Sequence, residues 1–406
     1  MATDVTPDEE EPIFAIAVAA ELAGMHPQTL RQYDRLGLVT PGRTQGGSRR
    51  YSLRHVKQLR EVAALSAEGM SLPAISRLVE LENTVRSLRR QVSELEGRRG
   101  RTGRMTLAAA TTPRIVVLGS ANVDLVVRQP RRAEPGETVF GTSFQTGPGG
   151  KGLNQAVAAA RAGGGVAFIG AVGDDAFGAQ LRTTLEAEGI DTRALRTTAA
   201  PTGIAQITVT DDGENSITVV AGANGLADLR DDERTLVAEA SHLVVQLERP
   251  EPLLIEALRH ARAHGVTTVL TPAPARAPLT ELIGLADVLV PNAGEAALLA
   301  GVPDVEAAAV SLSRAAHTVV VTRGADGAVV AQEGEIVSRV PARRATPIDT
   351  TGAGDTFTGV LVAGLSQGAP LGEALAAAAA AASITVTRPG AADSMPTRAE
   401  IDAALA

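Results

Sequence analysis

Residues 349–357 read Asp-Thr-Thr-Gly-Ala-Gly-Asp-Thr-Phe, and a helical apolar pattern from Thr358 to Leu365 follows at once. Glycines at a helix start leave several backbone N–H groups at the positive end of the dipole, the environment an anion prefers. Gly352, Ala353 and Gly354 are therefore read as an anion hole. Asp355, in the first turn, is placed to take a proton from an attacking hydroxyl. An aspartate at a helix start is usually a cap. A second polar cluster elsewhere in the chain favours catalysis over capping.

That cluster is Gly147-Pro148-Gly149-Gly150-Lys151-Gly152, which opens another helix. Its spacing fits a dinucleotide fingerprint, with Asp174 and Asp175 some twenty residues on. That reading fails, because a strand and polar turn (Gly119 to Asp124) already precede the glycines and Gly170 to Gly173 separates the next strand from the acids. A phosphate loop of the Walker type fails too, since Gly152 follows Lys151 where Ser or Thr should bind magnesium. Lys151 is informative by composition: the chain has only two lysines, Lys57 and Lys151, among 38 basic residues. A lysine kept between glycines in an arginine-writing chain points to use of its compact ammonium. Asn154 lies one helical turn on, where it can face the same ligand.

Outward from these clusters, β-rich runs (Ile115 to Leu118, Val166 to Ile169, Leu243 to Leu247, Thr267 to Leu270, Val288 to Val290, Val319 to Val321) alternate with alanine-rich helical stretches. The pattern predicts an α/β fold, a mainly parallel sheet sandwiched by helices. Val126 to Gln145 and Ile204 to Val220 break it with successive strands and polar turns, and predict a small extra β sheet.

The whole chain has 406 residues, 44% of them hydrophobic, with 38 basic against 46 acidic side chains and a net charge of −8. Two or three domains fit that length. The absence of cysteine excludes disulfides, thiolate zinc sites and a cysteine nucleophile. No apolar run long enough for a membrane span appears and the first residues are acidic, so a cytoplasmic protein with no membrane partner is expected. The charge is uneven: residues 1–104 carry +3 and the remainder −11. From His26 to Arg60 eight basic residues face one acid, Asp34, an excess that attracts polyanions.

In that first part, Ala17 to Met25 and Gln28 to Leu36 read as two short helices joined by His26 and Pro27. Pro41 to Tyr51 has turn chemistry flanked by arginines, suited to a two-stranded wing, and Leu53 to Glu68 reads as a third helix. Leu78, Leu81, Val85, Leu88, Val92 and Leu95 then follow the alternating three–four spacing of a coiled-coil seam, which must pair. Residues 97–113, rich in arginine and glycine, read as a flexible linker.

The segments AVAAELAGMHPQTLRQYDRLGLV (17–39) and PGRTQGGSRRYS (41–52) resemble the MerR regulators, most closely their heat-shock-repressor branch. Residues 1–12 read as a disordered acidic N-terminus, and the resemblance implies a winged helix-turn-helix domain over 13–70 and a dimerising coiled-coil helix over 71–96. It also implies double-stranded DNA as partner of residues 13–60, with Gln28, Thr29, Arg31 and Gln32 toward the major groove and Arg43, Arg49, Arg50 and Tyr51 on the phosphate backbone.

Residues 114–406 resemble the ribokinase-like PfkB carbohydrate kinases, through Gly149-Gly150-Lys151-Gly152-Leu153-Asn154 and Asp349 to Asp355. That resemblance implies a kinase with a small β lid (about 126–145 and 204–220) that also dimerises, ATP as co-substrate, and D-ribose converted to D-ribose 5-phosphate. Sugar hydroxyls would meet Asn122, Asp124, Gly150, Lys151, Asn154 and Glu248, with Asp355 as general base. Asn292, Thr322, Gly324 and Gly327 would hold the nucleotide, and Glu295 would be associated with Mg2+. A monovalent cation, K+, would sit among Asp349, Thr351, Thr385, Arg388, Gly390 and Ser394. Two positions depart from the family's usual residues: Arg323 stands where leucine is usual and Thr271 where asparagine is common. The alternatives are a sugar-sensing regulator that uses the kinase fold as its effector domain, or a kinase for another sugar.

Overall fold

The computed structural model describes residues 12, 14–35, 38, 39, 41–43, 49–67, 71 and 114–406, and the chain divides into two compact units, Met1–Ala110 and Thr111–Ala406. The coiled-coil seam and the linker lie outside the described residues.

In the first unit, helices Ile16–Ala23 and Pro27–Arg35 are separated by Gly24, whose left-handed backbone (φ 69°) ends the first, and by His26. Pro27 occupies the first helical position, where a missing N–H costs nothing. Strands β1 (Gly42–Arg43) and β2 (Arg49–Arg50) pair antiparallel as the wing, and helix Leu53–Ala67 follows. Ala19, Ala20, Leu30, Tyr33, Leu38, Tyr51, Val56 and Leu59 form this unit's own core.

The second unit is built on a nine-stranded sheet of order β15-β14-β13-β12-β11-β10-β3-β6-β7. Its strands β3 (Ile115–Leu118), β6 (Val166–Gly173), β7 (Leu195–Thr198), β10 (His242–Gln246), β11 (Thr267–Thr271), β12 (Val288–Leu289) and β13 (Thr318–Thr322) run parallel. Strands β14 (Ala328–Gln332) and β15 (Glu335–Val340) close the edge antiparallel. Period-two alternation assigns each strand's side chains to opposite faces. Ile115 and Val117 join the core beneath helices Lys151–Arg161 and Ala353–Ser366, while Val116 and Leu118 join the core beneath Glu251–Ala263.

The extra sheet has order β5-β4-β8-β9, from β4 (Asn122–Gln129), β5 (Ser143–Gly149), β8 (Gly203–Thr210) and β9 (Asn215–Val220). It begins at Asn122 and reaches Gly149, wider than the 126–145 expected. Asn122 pairs with Gly149 and Asp124 with Gly147 across the β4–β5 ladder, so the second half of the stretch read as a polar turn is strand. Both polar residues therefore stand at the base of this sheet.

Candidate active site

From β3 the chain steps to one side through β6 and β7, then returns to the other side through β10. This reversal is a topological switch point, and in such sheets ligands bind outside the carboxyl ends of the strands there. Ser120 follows β3 and Glu248 follows β10, and the Ser120 hydroxyl donates to Glu248 Oε2. The Lys151 N–H, opening the helix between them, donates to the same oxygen at 3.2 Å.

The glycines of 147–152 let this helix approach. Gly150 has φ 90°, and a side chain there would put Cβ 2.9 Å from the Asn122 backbone nitrogen; a Cβ on Gly152 would lie 2.6 Å from Gly119 Cα. They act as packing glycines, and the helix start delivers Lys151, Asn154 and Gln155 to the switch point.

Asp355 lies in the first turn of helix Ala353–Ser366 and is only 8% exposed. Gly352, at the N-cap, takes φ 75°, which turns the chain into the helix; Gly354 is exposed, with no atom near where a side chain would stand. Asn154 Nδ2 donates to Asp355 Oδ2 at 3.0 Å and Gln155 Nε2 to Oδ1 at 2.9 Å. Asn154 Oδ1 is buried without a partner. It is an acceptor available to a hydroxyl donor.

Around this centre the electrostatics are uneven. The negative charge of Asp355 is the main cause that raises the Lys151 ammonium above its ordinary range, against burial and with help from Glu248. Burial, then Glu248 and Asp355, push the Asp124 carboxyl up to about 7. Asn122 Oδ1 accepts from Asn224 Nδ2 at 2.8 Å, and Asn224 also holds the Ala121 backbone, tying β4 to the turn Gly222–Gly225.

The expected nucleotide and cation residues stand farther along the same rim. Asn292 and Glu295 bond each other reciprocally as a capping box on helix Ala293–Ala300. Burial raises the Glu295 carboxyl, while the Asn292 backbone N–H and Lys151 oppose it. Thr322 ends β13 beside Asn292; Gly324 and Gly327, both with positive φ, form the turn into β14, and Arg323 N donates to Gly327 O at 2.7 Å. Asp349 accepts from Thr351 N and Gly390 N, each at 2.9 Å, which joins two loops. The Thr385 hydroxyl is buried and bonds Ala381 O and Thr356, Ser394 bonds Ala391 O, and Arg388 pairs with Glu400. Among the described residues no three of His, Asp and Glu converge as a metal cage.

In the first unit, Gln28, Arg31 and Gln32 are exposed on helix Pro27–Arg35 and Thr29 is half-buried. Arg43 pairs with Arg49 across the wing, where Arg50 also lies, and the Arg49 guanidinium pairs with Asp34 of the helix. Tyr51 corrects one expectation. Its side chain is fully buried, with a backbone bridge to Phe14, so it is a core residue and does not reach a phosphate.

Sequence reasoning passed over Gln155, Gln246, Asn224 and Ser120. Gln155 adjoins Asn154 in the motif and could have been found there. The others carry no local signal, since only the topology brings them in.

The sequence profile of the pfkB family carbohydrate kinases matches residues 112–398, and that of MerR HTH family regulatory proteins matches residues 14–82. The chain belongs to the pfkB family of carbohydrate kinases. Over 297 residues it is 41% identical to the ribokinase of Haemophilus influenzae, covering 70% of this chain and 96% of that one. It is 39% identical to the ribokinase of Bacillus subtilis, over 72% of this chain and 99% of that one. The solved structure of Arabidopsis thaliana ribokinase complexed with ribose and ATP aligns with a TM-score of 0.69 at 33% identity, over 73% of this chain and 99% of that one.

Proposed function

We propose that this protein transfers the terminal phosphoryl group of ATP to the primary hydroxyl of D-ribose, giving ADP and D-ribose 5-phosphate, and that residues 13–60 bind double-stranded DNA. The observation that carries the kinase reading is Asp355, buried at a helix start with both carboxylate oxygens held by side-chain amides. A carboxylate so held accepts a hydroxyl proton in a fixed direction. The glycine-flanked N–H groups beside it stabilise charge that builds on the phosphoryl oxygens.

Asn122, Asp124, Gly150, Lys151, Asn154 and Glu248 bind the sugar in this reading. The partnerless Asn154 Oδ1 and the poorly solvated Asp124 both favour an occupant rich in hydroxyl groups. Asn292, Thr322, Gly324 and Gly327 bind ATP. Mg2+ keeps several waters and is commonly held by one or two carboxylates and substrate phosphates. Glu295 would be the carboxylate associated with it, and the ion would supply neutralisation of phosphate charge. Asp349, Thr351, Thr385, Arg388, Gly390 and Ser394 line a K+ site behind the anion hole. The Asp349 carboxylate, held by the Thr351 and Gly390 N–H groups where two loops meet, supplies oxygen of the kind such a cation takes.

The protein works as a homodimer in the cytoplasm, where ATP and DNA are both at hand. Exposed Phe144, Ile217 and Val219 on the small sheet favour that pairing. In this reading the domains are a winged helix-turn-helix over 13–70, a coiled-coil helix over 71–96, a linker over 97–113 and a kinase over 114–406, with the small sheet as lid. Purified full-length protein assayed with ATP across a sugar panel tests the reading. Turnover highest with ribose is expected. Ribose binding without turnover would make the protein a sugar sensor instead.

A further inference from the structure

We propose that Gln155 is a positioning residue for Asp355, backed by Gln246 in a one-way relay of side-chain amides. The inference rests on Asp355 being the base of the reaction above. Gln246 Nε2 donates to Gln155 Oε1 at 2.7 Å, and Gln155 Nε2 donates to Asp355 Oδ1 at 2.9 Å. Gln155 Nε2 is also 3.3 Å from the hydroxyl oxygen of Thr271, at the end of β11. Both glutamines are fully buried.

The direction of the relay follows from donor and acceptor inventories. An ionised carboxylate only accepts, so it demands an N–H from Gln155. With its Nε2 facing Asp355, the Gln155 amide presents oxygen to its rear, and that oxygen demands an N–H from Gln246. Gln246 meets this demand while its own Oε1 stays buried without a partner. An unpartnered buried acceptor is costly, and the arrangement tolerates it with the Gln246 amide turned to Gln155 and the Gln155 amide turned to the carboxylate.

Space for the relay is made by Gly119, because a Cβ there would collide with the Gln246 amide. Gln246 is the last residue of β10 and therefore rigid. The relay anchors Oδ1 to the central sheet. Oδ2 is left with Asn154, a residue read as sugar-binding, and is the oxygen turned to the hydroxyl. Losing the anchor frees the carboxylate to rotate about its χ2, which misaligns the base without touching sugar or nucleotide contacts. Misplacement by about 1 Å costs on the order of 100-fold in rate.

The test is a double-mutant cycle on the full-length protein with Gln155→Met and Asp355→Asn. Gln155→Met is expected to lower kcat about 10- to 100-fold with the ribose KM changed less than about threefold. In the Asp355→Asn background the same change is expected to cost almost nothing, because no base remains to be aimed. Equal losses in both backgrounds, or a rise in KM that accounts for the loss, would overturn the proposal and leave Gln155 a packing residue. A readout free of turnover is the Gln155 side-chain NH2 resonance, assigned in the wild-type protein by through-bond and through-space correlations. It is expected to move in both Asp355→Asn and Gln246→Met, and a resonance unmoved by either refutes the relay even if Gln155→Met does not fold. Wild-type protein that turns over no sugar, or Asp355→Asn that keeps full turnover, would sink the kinase reading, while this resonance test decides the relay on its own.

Discussion

Asn154 Nδ2 and Asp355 Oδ2 stand 3.0 Å apart and join two motifs separated by 201 residues. One member was read as a sugar ligand and the other as the base. Their bond means that a sugar reaching Asn154 is already beside the carboxylate. It also fixes which face of the helix Lys151–Arg161 looks into the site.

Asp355→Asn keeps the side chain's size but removes the base and turns one of its two acceptors into a donor. Turnover is expected to fall by about two to four orders of magnitude while ribose affinity stays within a few-fold. Steady-state kinetics beside calorimetric ribose binding checks this, and a variant with more than a tenth of wild-type turnover would remove Asp355 from the role.

Asp124 predicts a pH dependence. Its carboxyl is raised from 3.8 to about 7 in the folded protein, chiefly by burial. The folded state thus holds a proton that the unfolded state has lost between about pH 4 and 7, and stability falls as pH rises across that window. Asp124→Asn is expected to stabilise the sugar-free protein at pH 8 by on the order of 1 kcal/mol, allowing for partial exposure. Ribose affinity of the wild type should rise with pH through about 7, since the carboxylate accepts hydroxyl donors more strongly. A wild-type affinity flat from pH 6 to 8, or a slope that survives Asp124→Asn, contradicts the assignment.

Potassium is expected to raise kcat several-fold at constant magnesium. Burial works against the charge on Asp349, yet the bonds from Thr351 and Gly390 hold its carboxyl below the ordinary range, so a negative group persists where the two loops meet. Identical rates in sodium, potassium and choline buffers would dispose of the cation site, and Asp349→Asn should blunt the response.

Arg31→Ala and Arg49→Ala are expected to weaken DNA binding differently. Arg31 is exposed on the second helix, whereas Arg49 sits on the wing and is paired with Asp34. Loss of a base contact should relax sequence preference by about 1–3 kcal/mol, and loss of a phosphate contact should weaken all sequences alike and lower the salt slope by about one. Binding measured at several salt concentrations separates the two, and an absence of sequence-selective binding would end the regulator reading.

A fragment of residues 105–406 is expected to fold and to keep at least half of full-length turnover. Each unit has a core of its own, and all the residues proposed for the sugar, the anion hole and the nucleotide lie in the second. An insoluble or inactive fragment would show that the kinase depends on the first unit.

Much of this protein was legible locally. Alternation of apolar strands with alanine-rich helices dictates an α/β sheet, and Gly352 to Asp355 places a carboxylate at a helix start, because such signals act over a few residues through dipoles, dihedrals and burial. The charge break near residue 104 and the helix-turn-helix pattern were equally local, and the three described helices of the first unit fall within a residue or two of their expected ends, whereas the helix read from Thr358 begins at Ala353. Tyr51 and the relay were not. A tyrosine between arginines carries no mark of burial until Phe14 bridges its backbone and the core closes over its ring. Gln246 looks like any polar residue at a strand end. It acquires a role only because β10 lies next to β3, and because Gly119 leaves room for its amide to reach Gln155. The sequence by itself determined which groups could do chemistry, since that is a property of side chains and their near neighbours. Tertiary structure decided which of them meet, because strand order and close packing set distances that no spacing along the chain encodes.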